Sequence, residues 1–203
     1  LTVTSYMTHY KYEVKRRKGF AQEKGGARAW PNVAANGVIA SLLVLLTPFF
    51  PREIVLAAFL GAVSTANADT LATEIGLLNP TDPRLIKDLR RVVPAGTSGG
   101  ISVYGELATL LGALVIGIAA GFLGMTGNPG WPLDVLVGTT MIAGLAGCTI
   151  DSITGATAQG IYRCRICNKI TENRRHCGSP SIHLRGYKVI DNNAVNLIAT
   201  TLG

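Results

Sequence analysis

Residues 53–78 read EIVLAAFLGAVSTANADTLATEIGLL, an otherwise apolar run that carries Asp69 and Glu74. A carboxylate in a helix surrounded by lipid costs roughly 2.5–3.5 kcal/mol on insertion scales unless it is paired or hydrated. Such residues face a bundle interior and mark an ion, proton or substrate site; the plain alternative is a helix end standing in water. A third acid, Asp151, sits in the same kind of setting, followed by hydroxyls and an amide in DSITGATAQ (151–159). Three carboxylates at segment ends are hard oxygen ligands of the sort Mg²⁺ takes together with phosphate and water. The GTSGG run at 96–100, just ahead of an apolar segment, offers backbone N–H groups and the positive end of a helix dipole. By itself that motif is weak, because glycine before a membrane helix also serves as a plain turn.

Those residues need a scaffold, and composition says which. Of 203 residues, 48% are hydrophobic, only 15% are charged and 24 are glycine; mean hydropathy is +0.32. Charge this sparse with glycine this frequent suits closely packed membrane helices. Five apolar segments can be drawn, at about 32–50, 53–78, 101–124, 133–159 and 192–203. The last is too short to span the roughly 30 Å of hydrocarbon, and residues 1–10 read as the tail of a further helix. The expected fold is all-α: a polytopic transmembrane helix bundle, one membrane-embedded domain over 1–203, read as a fragment with its terminal helices incomplete. No stretch has the basic start and apolar run of a cleavable signal peptide.

Charge sets the orientation. Of the 19 Lys and Arg, seven lie in 11–31, four in 79–96 and seven in 160–190, whereas the alternate turns hold only Arg52. This asymmetry is the positive-inside pattern, so those three loops are expected to be basic cytoplasmic loops of an integral membrane protein. The net charge of +7 is then a topology signal that also suits an anionic substrate. No aromatic-basic platform accompanies it, so a nucleic-acid partner is set aside.

With this orientation Asp69, Glu74, the GTSGG loop, Asp151 with its hydroxyls, and Asp191-Asn192-Asn193 with Asn196 all gather on the cytoplasmic face. Lys24 and Arg28 in KGGAR, with Lys87, Arg90 and Arg91, are candidates to neutralise phosphate charge; the basic run from Lys11 to Lys18 reads as topology alone.

The same residues resemble a family. KGGARAWPNVAANG (24–37), ADTLATEIG (68–76), GTSGGIS (96–102), IDSITGATAQ (150–159) and DNNAVN (191–196), in this order over nearly the whole chain, resemble the phytyl-phosphate kinase family of polytopic membrane proteins. Family expectation departs at Asn32 (Gln), Thr73 (Ser) and Ala29 (a polar residue). The resemblance implies a membrane kinase that transfers a phosphoryl group from a nucleoside triphosphate, CTP above all, to an isoprenoid monophosphate, giving the diphosphate. It implies Mg²⁺ on Asp69, Glu74 and Asp151, also the catalytic residues. It further implies nucleotide or phosphate contacts from Lys24, Arg28, Asn36, Gly96, Thr97, Ser98, Gly99, Ser152, Gln159, Asn192, Asn193 and Asn196. Partners would be the lipid bilayer, the isoprenoid monophosphate and the nucleotide. CTP-dependent cytidylyl transfer to a lipid phosphate, or an ion-coupled transporter built on the same carboxylates, remain the alternatives.

One motif stands apart from this chemistry. Cys164-x-x-Cys167, then His176-Cys177, places four candidate zinc ligands within the 160–190 loop. The adjacent His and Cys are unusual neighbours and could supply only one ligand. A zinc knuckle and plain reduced cysteines both remain open; a reducing cytoplasm argues against a structural disulfide. Cys148, inside an apolar segment, reads as a small packing residue.

Overall fold

A computed structural model of the chain describes residues 30–124 and 131–203. Helix α1 (Trp30–Leu46) stops where Pro48 forbids a further turn, and the Thr47 hydroxyl donates to Val44 O (2.8 Å). Pro51 then opens α2 (Arg52–Gly76), α3 (Val103–Phe122) follows an Asx-like cap in which Ser102 Oγ accepts from Gly105 N (3.2 Å), and Pro132 opens α4 (Leu133–Thr157). Helix α5 (Asn192–Leu202) is capped by Asp191, whose Oδ1 accepts from Ala194 N at 3.0 Å.

Among the described residues three helices, α2, α3 and α4, are long and apolar enough to cross a membrane. At 1.5 Å per residue the 25 residues of α2 or α4 reach about 37 Å, beyond the roughly 30 Å of hydrocarbon. Helix α1, at 17 residues, ends four residues before the segment expected from sequence and reaches only about 26 Å.

The three long helices pack against one another, and α1 and α5 lean on them and on each other. What drives their contact is small side chains rather than large ones, as expected where lipid is as apolar as leucine. A Cβ at Gly112 of α3 would stand 2.9 Å from Ala68 Cα of α2, and one at Gly144 of α4 would stand 2.7 Å from Ala113 Cβ of α3. Such closeness lets polar groups bridge helices: Ser64 Oγ donates to Thr140 O (2.7 Å), Thr65 Oγ1 to Ala143 O (3.1 Å) and Asn67 Nδ2 to Gly112 O (2.8 Å). Leu60, Leu71 and Leu136 are buried between the helices, whereas many other large apolar side chains point outward, among them Leu45, Ile54, Leu107, Phe122 and Ile142.

The expectation of an all-α chain needs correction, because two of the loops between helices fold as strands. Residues β1 (Arg84–Leu85), β2 (Asp88–Val92) and β3 (Gly100–Ile101) form an antiparallel sheet in the order β2-β1-β3. It is pinned to the end of α4 through Leu85, Val93 and Ala156. After α4, β4 (Ile161–Arg163), β5 (Ile170–Thr171) and β8 (Ile182–Arg185) form a second sheet in the order β5-β4-β8, with β6 (Arg175–His176) and β7 (Ser179–Pro180) a separate hairpin. Arg185 of β8 donates from Nη1 to Ala156 O (2.9 Å) and Gly155 O (3.3 Å), capping carbonyls at the negative end of α4. Strands of two to five residues carry too few alternations to register as periodicity beside helices of twenty or more.

Candidate functional site: a polar cavity shared by five helices

Each helix meets the cavity with one face. On α2 the lining residues are Asp69, Ala72, Thr73 and Gly76; on α3 and its cap, Ser102, Gly105, Glu106 and Thr109. Both sets follow the i, i+3, i+4, i+7 spacing of a single helical stripe. Cys148, Asp151 and Ser152 on α4 and Asn192 and Asn196 on α5 obey the same rule, and α1 contributes Asn32. The space enclosed is about 290 Å³.

Glu74 does not line the cavity. Five residues beyond Asp69, it lies about 140° round the helix, and it is buried (3% exposed) off the stripe that Asp69 shares.

The loop 95–101 closes one wall. Gly96 (φ 75°) and Gly99 (φ 79°) are both left-handed, a conformation that favours glycine. At Gly99 space is equally decisive, since a Cβ would stand 2.6 Å from Ser152 O and 2.7 Å from Ala156 N on α4. The loop is therefore pressed onto the α4 backbone between Asp151 and the helix end. Two of its amides are used within the turn, Thr97 N donating to Pro94 O (3.2 Å) and Gly100 N to Thr97 O (2.8 Å). The Ser98 hydroxyl donates to Glu172 Oε1 at 2.6 Å, bringing a carboxylate from the second sheet to the rim.

Opposite, amides converge on Asp151. With the Asn196 side chain oriented by its neighbours, its nitrogen donates to Asp151 Oδ2 (3.3 Å) and Asn192 O (3.1 Å), and its oxygen accepts from Asn32 Nδ2 (3.0 Å). Asn36 Nδ2 in turn donates to Asn32 Oδ1 (3.5 Å). Gln159, 2% exposed, also lines the cavity, and its Nε2 has no hydrogen-bond partner. A buried donor left without a protein partner beside a cavity fits an acceptor held there, a water, an ion or a ligand atom.

Of the site residues read from the sequence, Asp69, Asp151, Gly96, Thr97, Ser98, Gly99, Ser152, Gln159, Asn192 and Asn196 line this one cavity. Asn36 reaches it through Asn32, Asn193 and Glu74 do not line it, and Lys24 and Arg28 lie outside the described residues. Sequence reasoning missed Glu106, Thr109, Asn32 and Glu172. Glu106 was detectable: it is an acid in an apolar helix four residues after the cap. Glu172 was not, since only the return of the second sheet brings it there. The lining holds four acids, Asp69, Glu106, Asp151 and Glu172, and among the described residues no Lys or Arg.

The second cluster lies in the ribbon between α4 and α5. Cys164 Sγ, Cys167 Sγ, Cys177 Sγ and a His176 ring nitrogen all fall within 4.8 Å of one another. Both His176 and Cys177 therefore turn inward, where one ligand from the pair was expected. Backbone N–H groups of Cys167 and Ile166 hold the Cys164 thiol down to about 6, whereas the hydrogen bond that the Cys177 thiol donates to Cys167 Sγ pushes Cys177 up to about 11.

An apolar-faced helix bundle with three helices long enough to cross a membrane, and a polar, glycine-walled cavity at the strand-bearing end of its helices, has the architecture of an integral membrane protein. The particular family follows from sequence likeness: the chain matches the family described as "Integral membrane protein DUF92" over residues 1–203, and it belongs to that family. It is 31% identical over 218 residues to "Protein PGR" of Arabidopsis thaliana, covering 98% of this chain and 74% of that protein. It is 38% identical over 129 residues to a membrane protein of Methanocaldococcus jannaschii (64% of this chain, 50% of the relative). It is also 28% identical over 201 residues to "Protein VTE6, chloroplastic" of Arabidopsis thaliana (97% and 51%). The chain thus spans about three quarters of the first relative's length and about half of the other two. The family resemblance read from the motifs holds. No solved structure matches the chain.

Proposed function

We propose that the chain is a membrane phosphotransferase that moves the terminal phosphoryl group of a nucleoside triphosphate, CTP by family resemblance, onto a phytyl- or prenyl-type isoprenoid monophosphate. The observation that carries this reading is the make-up of the cavity: four acids, a left-handed glycine turn and the unpartnered Gln159 donor around one space. Among the described residues the lining is acidic, and four carboxylates around one space fit a hard divalent ion entering with a polyphosphate. The carboxylates stand apart instead of forming a three-ligand cage, which suits Mg²⁺, an ion that takes one or two carboxylates and completes its shell with phosphate and water. Asp69 and Asp151 would hold it, and when bound it supplies charge neutralisation at the phosphates.

The chain's own residues do the rest. Gln159 Nε2 donates to a phosphate oxygen, and the Asn32–Asn196 pair fixes the tilt of Asp151. In the transfer, an oxygen of the acceptor phosphate bonds to the γ-phosphorus as the bridging P–O bond to the β-phosphate breaks. The nucleoside diphosphate departs with that electron pair. The acceptor is already ionised, so no strong general base is needed, and the work is positioning and charge compensation. The apolar outer faces of the helices suit an isoprenoid tail lying in lipid with its phosphate at the cavity, and the basic loops support a cytoplasmic site. A coupling-ion site of a transporter belongs near mid-depth; this cluster sits within the last two to three turns of α2 and α4.

Incubating purified protein with labelled CTP and a prenyl monophosphate tests the proposal. Prenyl diphosphate with CDP is the expected product pair. A CMP-linked lipid with pyrophosphate would reassign the chain to cytidylyl transfer, and no consumption of CTP or other nucleoside triphosphates would overturn the enzyme reading.

A further inference from the structure

The ribbon between α4 and α5 has almost nothing of its own to hold it. Its strands run two to four residues, and Ile166 and Ile170, which would form a core in a larger sheet, are 64% and 58% exposed. Small folds of this kind need a staple. A disulfide is not that staple, because Cys164, Cys167 and Cys177 are all free thiols, with Cys167 Sγ and Cys177 Sγ 3.8 Å apart against an S–S bond of about 2.05 Å.

The separations among Cys167, His176 and Cys177 fit a tetrahedral ion, and Cys164 Sγ lies within 4.8 Å of all three. With Zn–S near 2.3 Å and Zn–N near 2.05 Å, two thiolates lie about 3.8 Å apart and a thiolate and an imidazole nitrogen about 3.5 Å apart. The cluster has 3.8 Å between the Cys167 and Cys177 sulfurs, and 3.5 and 3.2 Å from His176 Nδ1 to Cys167 Sγ and Cys177 Sγ. The backbone is bent to achieve this. Ile166 N donates to Cys164 Sγ (3.3 Å) in the turn that joins the first two cysteines. Asn168 (φ 57°), directly after Cys167, and Cys177 (φ 51°), directly after His176, are the two non-glycine residues among those described with left-handed backbone. The left-handed turn at Cys177 is what lets two adjacent side chains point at one centre. Non-glycine residues persist there only where the surroundings hold them.

We propose that Cys164, Cys167, His176 and Cys177 bind one structural Zn²⁺, and that the zinc-closed ribbon holds Glu172 in the cavity wall. Glu172 lies on the segment between the two ligand pairs, one residue beyond β5, and its carboxylate accepts the Ser98 hydroxyl. Four protein ligands leave the ion no open position, so its role is to position and not to react. The zinc assignment is independent of the phosphotransfer reading; only the contribution of Glu172 to turnover rests on it.

Elemental analysis of protein purified without chelator should give about one zinc per chain. Cys164→Ser should drop this below about a fifth and speed tryptic cleavage within 163–188 roughly tenfold, through local opening of the ribbon. Glu172→Gln should keep its zinc and its protease resistance while the KM for CTP rises. Wild-type protein with under about a fifth of a zinc per chain, and no thiolate-to-metal charge-transfer band on addition of Co²⁺, would overturn the site. Full zinc in wild type, with cleavage unaltered in zinc-free protein, would overturn the positioning role. Since neither zinc content nor cleavage needs turnover, these failures stay distinct from failure of the kinase reading.

Discussion

Asp151 is held at the end of a line of amides, Asn36 to Asn32 to Asn196, contributed by α1 and α5. Asp69 reaches the same cavity from α2. On the proposed reading, two carboxylates from different helices suit a cation brought in with a polyphosphate. Asp69→Asn and Asp151→Asn should therefore each lower kcat more than they raise KM, because the lost stabilisation appears mainly in the transition state. The expected loss exceeds tenfold, about 1.4 kcal/mol in barrier terms, with the protein still folded and inserted. Steady-state kinetics at saturating Mg²⁺ check this; a variant that keeps more than about a tenth of the wild-type rate removes its residue from the site.

At the scale of elements, the bundle depends on where glycine is packed and where it is not. Helix α4 contains both cases. A Cβ at Gly144 would meet Ala113 Cβ at 2.7 Å and Ser64 Oγ at 3.0 Å, whereas at Gly138 it would meet nothing within 4 Å. Gly144→Ala should push α4 off α2 and α3, weaken the Ser64–Thr140 bond and lower the thermal midpoint in detergent. Gly138→Ala should leave the midpoint unchanged or raise it, since alanine is favoured over glycine in a helix by about 1 kcal/mol. Equal effects of the two substitutions would contradict this packing.

The same contrast explains what was legible beforehand. Segment limits for α2, α3, α4 and α5 came within about three residues of the helices, because long apolar runs bounded by Pro51, Ser102, Pro132 and Asp191 leave little choice. The i, i+3, i+4 stripes bearing Asp69, Asp151 and Asn196 were readable too. Hidden were the short strands, whose pairing is non-local, and Glu172, which nears Ser98 across 74 residues of sequence. Glu74 falls off the cavity-lining stripe for a local reason, since proximity in sequence at i+5 is not proximity on a helix.

For the whole molecule, the cavity, both sheets and the Cys–His cluster occupy the end of the bundle where α2 and α4 finish and α3 and α5 begin. Eleven of the 19 Lys and Arg fall in the two segments 79–96 and 160–190 at this end, and Arg52 alone marks the turn at the other. We propose, from the positive-inside rule, that this end faces the cytoplasm, a compartment that would supply nucleotide to the site and keep its thiols reduced. The prediction follows directly. In a cysteine-free background, single cysteines replacing Arg90 and the exposed Val189 should react with an impermeant maleimide only after the inner face is opened. One replacing Asn128, in the sequence between α3 and α4, should react in intact cells. Labelling of both the Arg90 and Val189 positions from outside would invert the protein and put the cavity beyond the reach of cytoplasmic nucleotide. Labelling of one alone would mean that the two sheets lie on opposite faces, which the 2.6 Å contact between Ser98 and Glu172 forbids.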